Sequence, residues 1–150
     1  MTRERAMNLL LDNCVKNRRL PRKKLQACLH PLMKKNKVKK LDVVFVTSAT
    51  MRRLNRDYHN VDKVTDVLAF PYGAGYLGEI FVCPDVAARQ AKSRGLSFTS
   101  ELVLYAVHGT LHLLGYDDHS LLEAKKMRRK EVAVLKSVGL KTDRLETLDA

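Results

Sequence analysis

Three of the five histidines in this sequence of 150 residues fall within one short stretch. His108 and His112 are four residues apart in a run of good helix formers, so both imidazoles lie on one helix face, where they can share a metal ion. Gly115 is suited to end that helix, because glycine accepts the left-handed conformation of helix ends. His119 follows this turn, beside two aspartates. The spacing predicts two metal ligands from a helix, a third from the next loop, and a coordination position open to water.

A catalytic metal site is the chemistry that this cluster favours, and a buried, hydrogen-bonded group of histidines is the alternative. We expect one Zn²⁺ ion per chain, because three protein ligands and an open position are the usual catalytic arrangement of zinc. Nickel, iron or copper would accept the same ligands. Zinc proteases carry H-E-x-x-H, with the glutamate as general base, but here Gly109 and Thr110 stand between the histidines. A metalloprotease-like hydrolase is therefore the lesser alternative.

The lysines and arginines give the chain a formal net charge of +12 and are clustered along the sequence. Such clusters suggest surfaces that can follow a phosphate backbone, and a merely solvated basic surface is the alternative. No recognisable RNA-binding module accompanies the charge. The composition therefore indicates a polyanionic partner without saying which one. The clusters lie at residues 18–24, 34–40, 52–56 and 125–130.

The cysteines and the absence of long apolar runs bear on the compartment. The three cysteines are odd in number, far apart and without a C-x-x-C pair, so we expect free thiols and a reducing cytoplasm. No apolar run approaches the ~20 residues that cross a bilayer, and no membrane partner is expected. The length suits one domain over residues 1–150, with a polar, frayed tail at about 140–150.

The hydrophobic pattern places the histidine stretch on a helix beside a small sheet. Apolar runs of strand length, rich in β-branched residues, predict strands at 7–11, 41–47, 67–70 and 79–82, the first of which fits a helical turn equally well. Capping residues and helical spacing predict helices that start at Pro21, Ser48, Pro84, 97–100 and Ser120. The sequence thus predicts an α+β fold, in which a small mixed four-stranded sheet packs with about five helices. Within it, a zincin-like metal-site helix is followed by a turn.

Two motifs and a short strand carry a resemblance to a known family. Residues 54–71 read L-N-R-D-Y-H-N-V-D-K-V-T-D-V-L-A-F-P, residues 108–119 read H-G-T-L-H-L-L-G-Y-D-D-H, and residues 78–80 read G-E-I. They resemble L-N, Y-R and D-x-x-T-D-V-L-S-F-P, then H-G-x-L-H-L-x-G-Y-D-H, and G-D-I of the YbeY family of rRNA maturation factors. The resemblance extends over about residues 7–139.

The resemblance implies a metal-dependent endoribonuclease that acts on single-stranded RNA. The implied role is rRNA maturation, including the 3′ end of the small-subunit rRNA, and ribosome biogenesis or quality control. The implied partners are rRNA and ribosomal particles in the cytoplasm, and DNA is not expected. The alternative is an assembly factor that binds RNA or the ribosome without catalysis and holds a structural metal.

One departure from the family pattern lies in the first motif. The family has an arginine after the tyrosine, thought to serve catalysis, and this chain has His59. An imidazole cannot make the bidentate phosphate contact of a guanidinium, but it can donate or accept a proton. His59 and Arg56 are therefore the candidate catalytic residues. Arg52, Arg53 and Arg56 are the candidate RNA-binding residues, and Thr65 with Asp66 is expected to form a structural turn.

The second departure concerns the third metal ligand. The family's third histidine lies ten residues after the first, and in this chain that position is Asp118, one residue before His119. Either the loop is longer by one residue and His119 binds the metal, or Asp118 binds it as a carboxylate. We favour His119, because a loop absorbs one residue at little cost and an uncharged ligand leaves the metal a stronger Lewis acid.

Overall fold

The computed structural model describes residues 7–147, and this part of the chain contains four strands and six helices. The strands are β1 (Asn8–Asn13), β2 (Lys40–Phe45), β3 (Val67–Pro71) and β4 (Tyr76–Val82). The helices are α1 (Arg22–Lys35), α2 (Ser48–His59), α3 (Pro84–Arg94), α4 (Phe98–Leu113), α5 (Leu121–Ser137) and α6 (Asp143–Thr147). The predicted α+β fold is confirmed, with one helix more than the sequence indicated.

The sheet is mixed, with the strand order β1-β2-β4-β3. Strands β1, β2 and β4 run parallel, and β3 pairs antiparallel with β4 through a hairpin. In β2, Val43 and Phe45 are fully buried and lie opposite Ile80 and Val82 of β4. Alternate residues of neighbouring strands therefore form one apolar face, as expected for strands covered on one side by helices.

Helix α4 packs against this sheet and is buried over most of its length. Its first turn is capped by Ser97, whose hydroxyl accepts a hydrogen bond from the backbone N–H of Ser100 at 3.0 Å. Helix α5 begins in the same way, since the Ser120 hydroxyl accepts from the N–H of Glu123 at 3.1 Å. Both caps lie where the sequence predicts helix starts, and they fix the two helices that carry the site described below.

Gly109 allows α4 to approach the sheet closely. A Cβ atom at this position would lie 2.8 Å from Cγ2 of Ile80 and 3.0 Å from Cγ2 of Val67. Both are methyl groups of β-branched residues and cannot rotate far out of the way. The glycine between the two histidines is thus required by packing, which accounts for a position that the protease comparison left without a role.

Replacing Gly109 by valine is expected to lower the free energy of unfolding by roughly 1–3 kcal/mol through overpacking. The measurement is the urea midpoint, monitored by circular dichroism. The matched control is Gly73→Val, because a Cβ at Gly73 would meet no atom within 4 Å. Equal midpoints for the two variants would contradict the close approach of α4 to β3 and β4.

The C-terminal segment differs from the frayed tail that the sequence suggested. Residues 143–147 form α6, and the side chains of Thr142 and Leu145 are buried. Lys136 of α5 donates to Glu146 at 2.7 Å, which ties the two helices together. One apolar residue in a polar stretch is enough to dock a short helix, and composition alone does not reveal this. Residues 148–150 lie outside the described part.

Within residues 7–147, no helix combines the length and the apolar character needed to span a membrane.

Candidate metal centre

The C-terminal half of α4 brings His108 and His112 together. Their Nε2 atoms are 3.1 Å apart, and both imidazoles are half-buried. The four-residue spacing places the rings one helical turn apart on the same face, as the sequence predicted. Two imidazole nitrogens that face each other at this distance can either share a proton or bind one metal ion.

The loop after α4 turns the chain back towards this pair. Helix α4 ends at Leu113, and the predicted glycine, Gly115, follows its C-cap with a positive φ of 103°. The N–H of Tyr116 donates to the carbonyl of Leu111 at 3.0 Å, which fixes this turn. Oδ2 of Asp118 consequently lies 3.8 Å from Nε2 of His108 and 3.7 Å from Nε2 of His112. The ligand atoms of the three residues all lie within 4.8 Å of one another.

His119 lies apart from the two helical histidines. Its side chain is 86% exposed, and its Nε2 is 3.2 Å from Oδ1 of Asp117. Asp117, Asp118 and His119 form a second possible donor group, which is more exposed than the first. Of the two alternatives for the third ligand, the structure thus brings Asp118 next to His108 and His112, and it turns His119 outwards.

Helix α5 contributes a buried acid to the site. Oε2 of Glu131 lies 2.6 Å from Nδ1 of His108, and Nη1 of Arg128 lies 3.4 Å from Oε1 of the same carboxyl group. Glu131 is only 2% exposed. A carboxylate accepts hydrogen bonds, so this contact favours the tautomer of His108 with its proton on Nδ1, which leaves the Nε2 lone pair facing His112 and Asp118.

The electrostatics of the site favour positive charge. Burial alone lowers the pKa of His108, but the hydrogen bond and charge of Glu131, with smaller contributions from Asp66 and Asp118, outweigh it, so that the pKa is raised. Three carboxylates thus act on one imidazole in an otherwise strongly basic protein. Such a field attracts a cation.

The donor set fits a divalent transition metal. Two ligand atoms on a tetrahedral zinc ion, each at 2.0–2.1 Å, are about 3.3 Å apart, close to the 3.1 Å between the Nε2 atoms of His108 and His112. Imidazole and carboxylate are both ligands of zinc, and the Glu131 contact resembles the carboxylate–histidine–zinc arrangement of metalloenzymes. The residues present are therefore suited to hold the ion that the sequence predicted.

Glu131 and Arg128 were missed by the sequence reasoning, although a signal was present. Met127, Glu131 and Leu135 are spaced four residues apart, and all three are buried. A carboxylate between two core positions of a helix is costly unless it has a partner, so the pattern indicates a buried ion pair or a ligand contact. The basic residues around Glu131 favoured instead a surface for a polyanion, with a merely solvated surface as the alternative.

His59, the other sequence candidate for catalysis, lies on an aromatic patch at the end of α2. Its ring stacks on Phe70 with a centroid distance of 5.9 Å, and Tyr58 meets the same phenyl ring edge-on at 5.2 Å. In the part of the chain that the structure describes, neither His59 nor Arg56 makes a hydrogen bond or an ion pair with the metal-binding group. The structure thus does not bring these two candidates to the three donors.

The candidate RNA-binding arginines are exposed on α2. Arg52 makes a bidentate pair with Asp62 at 2.8 and 3.0 Å, and Arg56 lies 3.3 Å from Asp57. Arg53 has no acidic partner within ion-pair distance among residues 7–147. Arg53 is consequently the one of the three whose charge is most available to a phosphate.

Thr65 and Asp66 lie directly before β3, where the chain bends at Asp66. Oδ1 of Asp66 accepts from the N–H of Val67 at 2.9 Å and from the Thr65 hydroxyl at 3.1 Å. These bonds start the strand that packs under Gly109. The pair therefore has the structural role that the sequence predicted, and the charge of Asp66 also acts on His108.

Comparison with known proteins identifies the family of the chain. A family model described as Endoribonuclease YbeY matches residues 11–139. Relatives of that name from Staphylococcus carnosus (strain TM300) and Desulfitobacterium hafniense (strain Y51) are each 42% identical, over 114 and 113 residues. The first match covers 69% of this chain and 74% of the relative, and the second covers 67% of this chain and 72% of the relative. A solution structure from Thermotoga maritima covers 87% of this chain and 88% of its own, with 28% identity and a TM-score of 0.61. The chain therefore belongs to the YbeY family of endoribonucleases.

Proposed function

We propose that this protein is a metal-dependent endoribonuclease that hydrolyses phosphodiester bonds in single-stranded RNA. The observation that carries the proposal is the group His108, His112 and Asp118, in a chain that matches the family over most of its length. The net charge of +12 suits a polyanionic substrate. The role that we propose is rRNA maturation, at the 3′ end of the small-subunit rRNA, within ribosome biogenesis or quality control.

We propose one Zn²⁺ ion per chain, held by His108, His112 and Asp118. The distances from Asp118 to both imidazoles favour it over His119, which the sequence alone preferred. Zinc is favoured because imidazole and carboxylate donors with a free coordination position are typical of its catalytic sites. A carboxylate ligand makes the site more anionic than three histidines would, so it holds a cation more firmly at the cost of Lewis acidity.

The bound ion and the residues around it would have separate roles in hydrolysis. When bound, the ion supplies a Lewis acid that polarises a phosphoryl oxygen or lowers the pKa of a bound water. Glu131 holds the proton on Nδ1 of His108, so that Nε2 is presented as a lone pair. Arg53, with Arg52 and Arg56 beside it, is suited to hold the RNA backbone. His59 is exposed on the Phe70 ring and suits contact with RNA better than proton transfer at the metal.

The proposed setting is the cytoplasm, with rRNA and ribosomal particles as partners and without a role for DNA. All three cysteines are free, and the surroundings of Cys28 raise the pKa of its thiol to about 11, chiefly by burial. Such a thiol is unreactive and suits a reducing compartment.

The alternative is a ribosome assembly factor that binds RNA and holds a structural metal. Structural zinc sites are normally closed by four protein ligands, and the group around His108 offers three within the described residues. His108 and His112 are also only half-buried, which leaves access for a substrate. Both observations favour the catalytic function, as does the family.

The test compares metal-loaded protein with the His112→Ala variant. Both are incubated with an unstructured single-stranded RNA, with the DNA oligonucleotide of the same sequence, and with a peptide. We expect cleavage of the RNA alone, by the wild type alone, abolished by a chelator and restored by Zn²⁺. Equal RNA cleavage by both proteins would point to a contaminating nuclease and overturn the proposal. Peptide cleavage would favour the protease-like alternative.

A further inference from the structure

The hairpin between β3 and β4 carries two stacked tyrosines. It lies in a different part of the sequence from the metal-binding loop. The rings of Tyr72 and Tyr76 have centroids 4.5 Å apart and an interplanar angle of 29°. Tyr76 is held from two sides, because its hydroxyl donates to Asp42 and Nζ of Lys40 lies 4.5 Å from its ring centroid. Tyr72 is 60% exposed and rests on this fixed ring. The hairpin thus presents an aromatic surface to solvent.

This surface forms one wall of a pocket of about 440 Å³. Asn36 and Lys37, which follow α1, line its polar side, and Leu113 and Leu114, at the end of α4, line its apolar side. Among residues 7–147, Lys37 has no acidic side chain within ion-pair distance. An exposed ring, an apolar surface and a free ammonium group together suit a nucleotide, whose base stacks while its phosphate binds a cation.

The pocket lies at the same end of α4 as the candidate metal centre. Leu114 also lines a second pocket of about 420 Å³, together with Gly115, Tyr116 and Asp117. Asp117 directly precedes Asp118, so the two pockets, which share Leu114, lie beside the tyrosine pair and beside the loop that approaches His112. The hairpin is thus placed on the side of the molecule where a strand bound at the site would extend.

The charges around the pocket also favour a polyanion. Lys37 lines the pocket, Lys39 lies against Gly75 of its wall and Lys40 lies over the ring of Tyr76. The carboxylates of this part of the sheet are Asp42 and Glu79. One of the two, Asp42, already accepts the Tyr76 hydroxyl. A purely acidic peptide would use the lysines but would leave the exposed face of Tyr72 without a partner, whereas single-stranded RNA uses both.

We propose that Tyr72 and Lys37 form a binding subsite for a nucleotide of single-stranded RNA next to the cleaved bond, with the base stacked on Tyr72 and a backbone phosphate on Lys37. That the bound RNA is also the substrate rests on the proposed function. The subsite itself depends on the pocket and can be tested without cleavage.

The test uses the absence of tryptophan from this sequence. Tyr72→Trp keeps a stacking ring and introduces the only tryptophan, whose emission can be excited selectively over that of the tyrosines. In metal-free protein, with a chelator present, we expect the emission to be quenched when oligoadenylate is added. Leu10→Trp, at an exposed position on β1 at the opposite edge of the sheet, is the matched control and should change little. Polyglutamate, which offers charge without bases, should not quench either variant.

The affinity is measured separately, by fluorescence anisotropy of labelled oligoadenylate. Tyr72→Ala should raise Kd roughly 5- to 150-fold, as loss of one base–aromatic stack does, while Tyr72→Phe should bind like the wild type. Lys37→Gln should reduce the slope of log K against log salt by about 0.7, which corresponds to one phosphate. Thermal unfolding of each variant checks that the hairpin is intact.

Unchanged emission of Tyr72→Trp while anisotropy reports bound RNA would overturn the subsite, and so would equal affinity of the Tyr72→Ala and Tyr72→Phe variants. Failure of the proposed function would look different. In that case the wild type would bind oligoadenylate more tightly than Tyr72→Ala does, but it would not cleave RNA after addition of Zn²⁺.

Discussion

Asp118→Ala is expected to lose the bound metal ion and RNA cleavage, whereas His119→Ala keeps both. Oδ2 of Asp118 lies within 3.8 Å of the Nε2 atoms of His108 and His112, while the side chain of His119 is 86% exposed and contacts Asp117. Since removal of even an outer-shell partner weakens metal binding about 10- to 100-fold, loss of a direct ligand should weaken it by more than 100-fold. His119→Ala should stay within about threefold of the wild type.

The measurement is zinc competition with a chromogenic chelator, followed by RNA cleavage at saturating zinc. Asp118→His provides the matched control, because it returns an imidazole to the position where the family pattern has a histidine and should retain the metal. Circular dichroism shows whether each variant is folded. Retention of zinc by Asp118→Ala together with its loss from His119→Ala would establish His119 as the ligand.

Glu131→Ala is expected to weaken metal binding about 10- to 100-fold and to destabilise the fold at the same time. The substitution removes the 2.6 Å contact to Nδ1 of His108 and leaves Arg128 without its acid. Breaking a buried pair costs about 3–5 kcal/mol, but Arg128 is partly exposed, so we expect a loss on the order of 2–3 kcal/mol. Glu131→Gln keeps an acceptor for Nδ1–H and should recover most of the metal affinity.

The two effects of Glu131 are separated by measuring zinc affinity below the unfolding transition. Imidazole ¹⁵N chemical shifts of His108 should report the Nδ1–H tautomer in the wild type and in Glu131→Gln, and a mixture in Glu131→Ala. Glu146→Ala is the control, because it removes the exposed Lys136–Glu146 pair and should cost less than about 1 kcal/mol. If Glu131→Ala is less stable but binds zinc with the affinity of the wild type, Glu131 has only a structural role.

Most of the sheet could be predicted from the sequence because its strands are locally distinctive. The run from Leu41 to Phe45 is β-branched and aromatic, and the structure buries it in the centre of the sheet. The ambiguous run at the N-terminus became β1 only because Asn8–Asn13 pairs with Lys40–Phe45, a long-range contact that local pattern does not contain. Similarly, Leu145 is buried because α6 packs against α5, and the sequence of the C-terminal segment does not reveal this contact.

In the candidate site too, the residues fixed by local spacing could be predicted, and those fixed by long-range contacts could not. His108 and His112 follow from helix geometry, which fixes two side chains by their spacing alone. The choice between Asp118 and His119 depends on the path of a loop, where one residue reverses the direction of a side chain, and no periodic rule applies. Glu131 reaches His108 from another helix, and only the packing of α5 against α4 reveals the contact.

The contact between α4 and α5 also couples metal binding to the stability of the fold. The candidate ligands lie on helix α4 and on the loop after it, and Glu131 of α5 holds one of them, so an ion bound there would tie together segments that separate on unfolding. A ligand at one hundred times its Kd stabilises the native state by about 2.7 kcal/mol. Removal of the metal would thus make the chain easier to unfold and to proteolyse, as well as inactive.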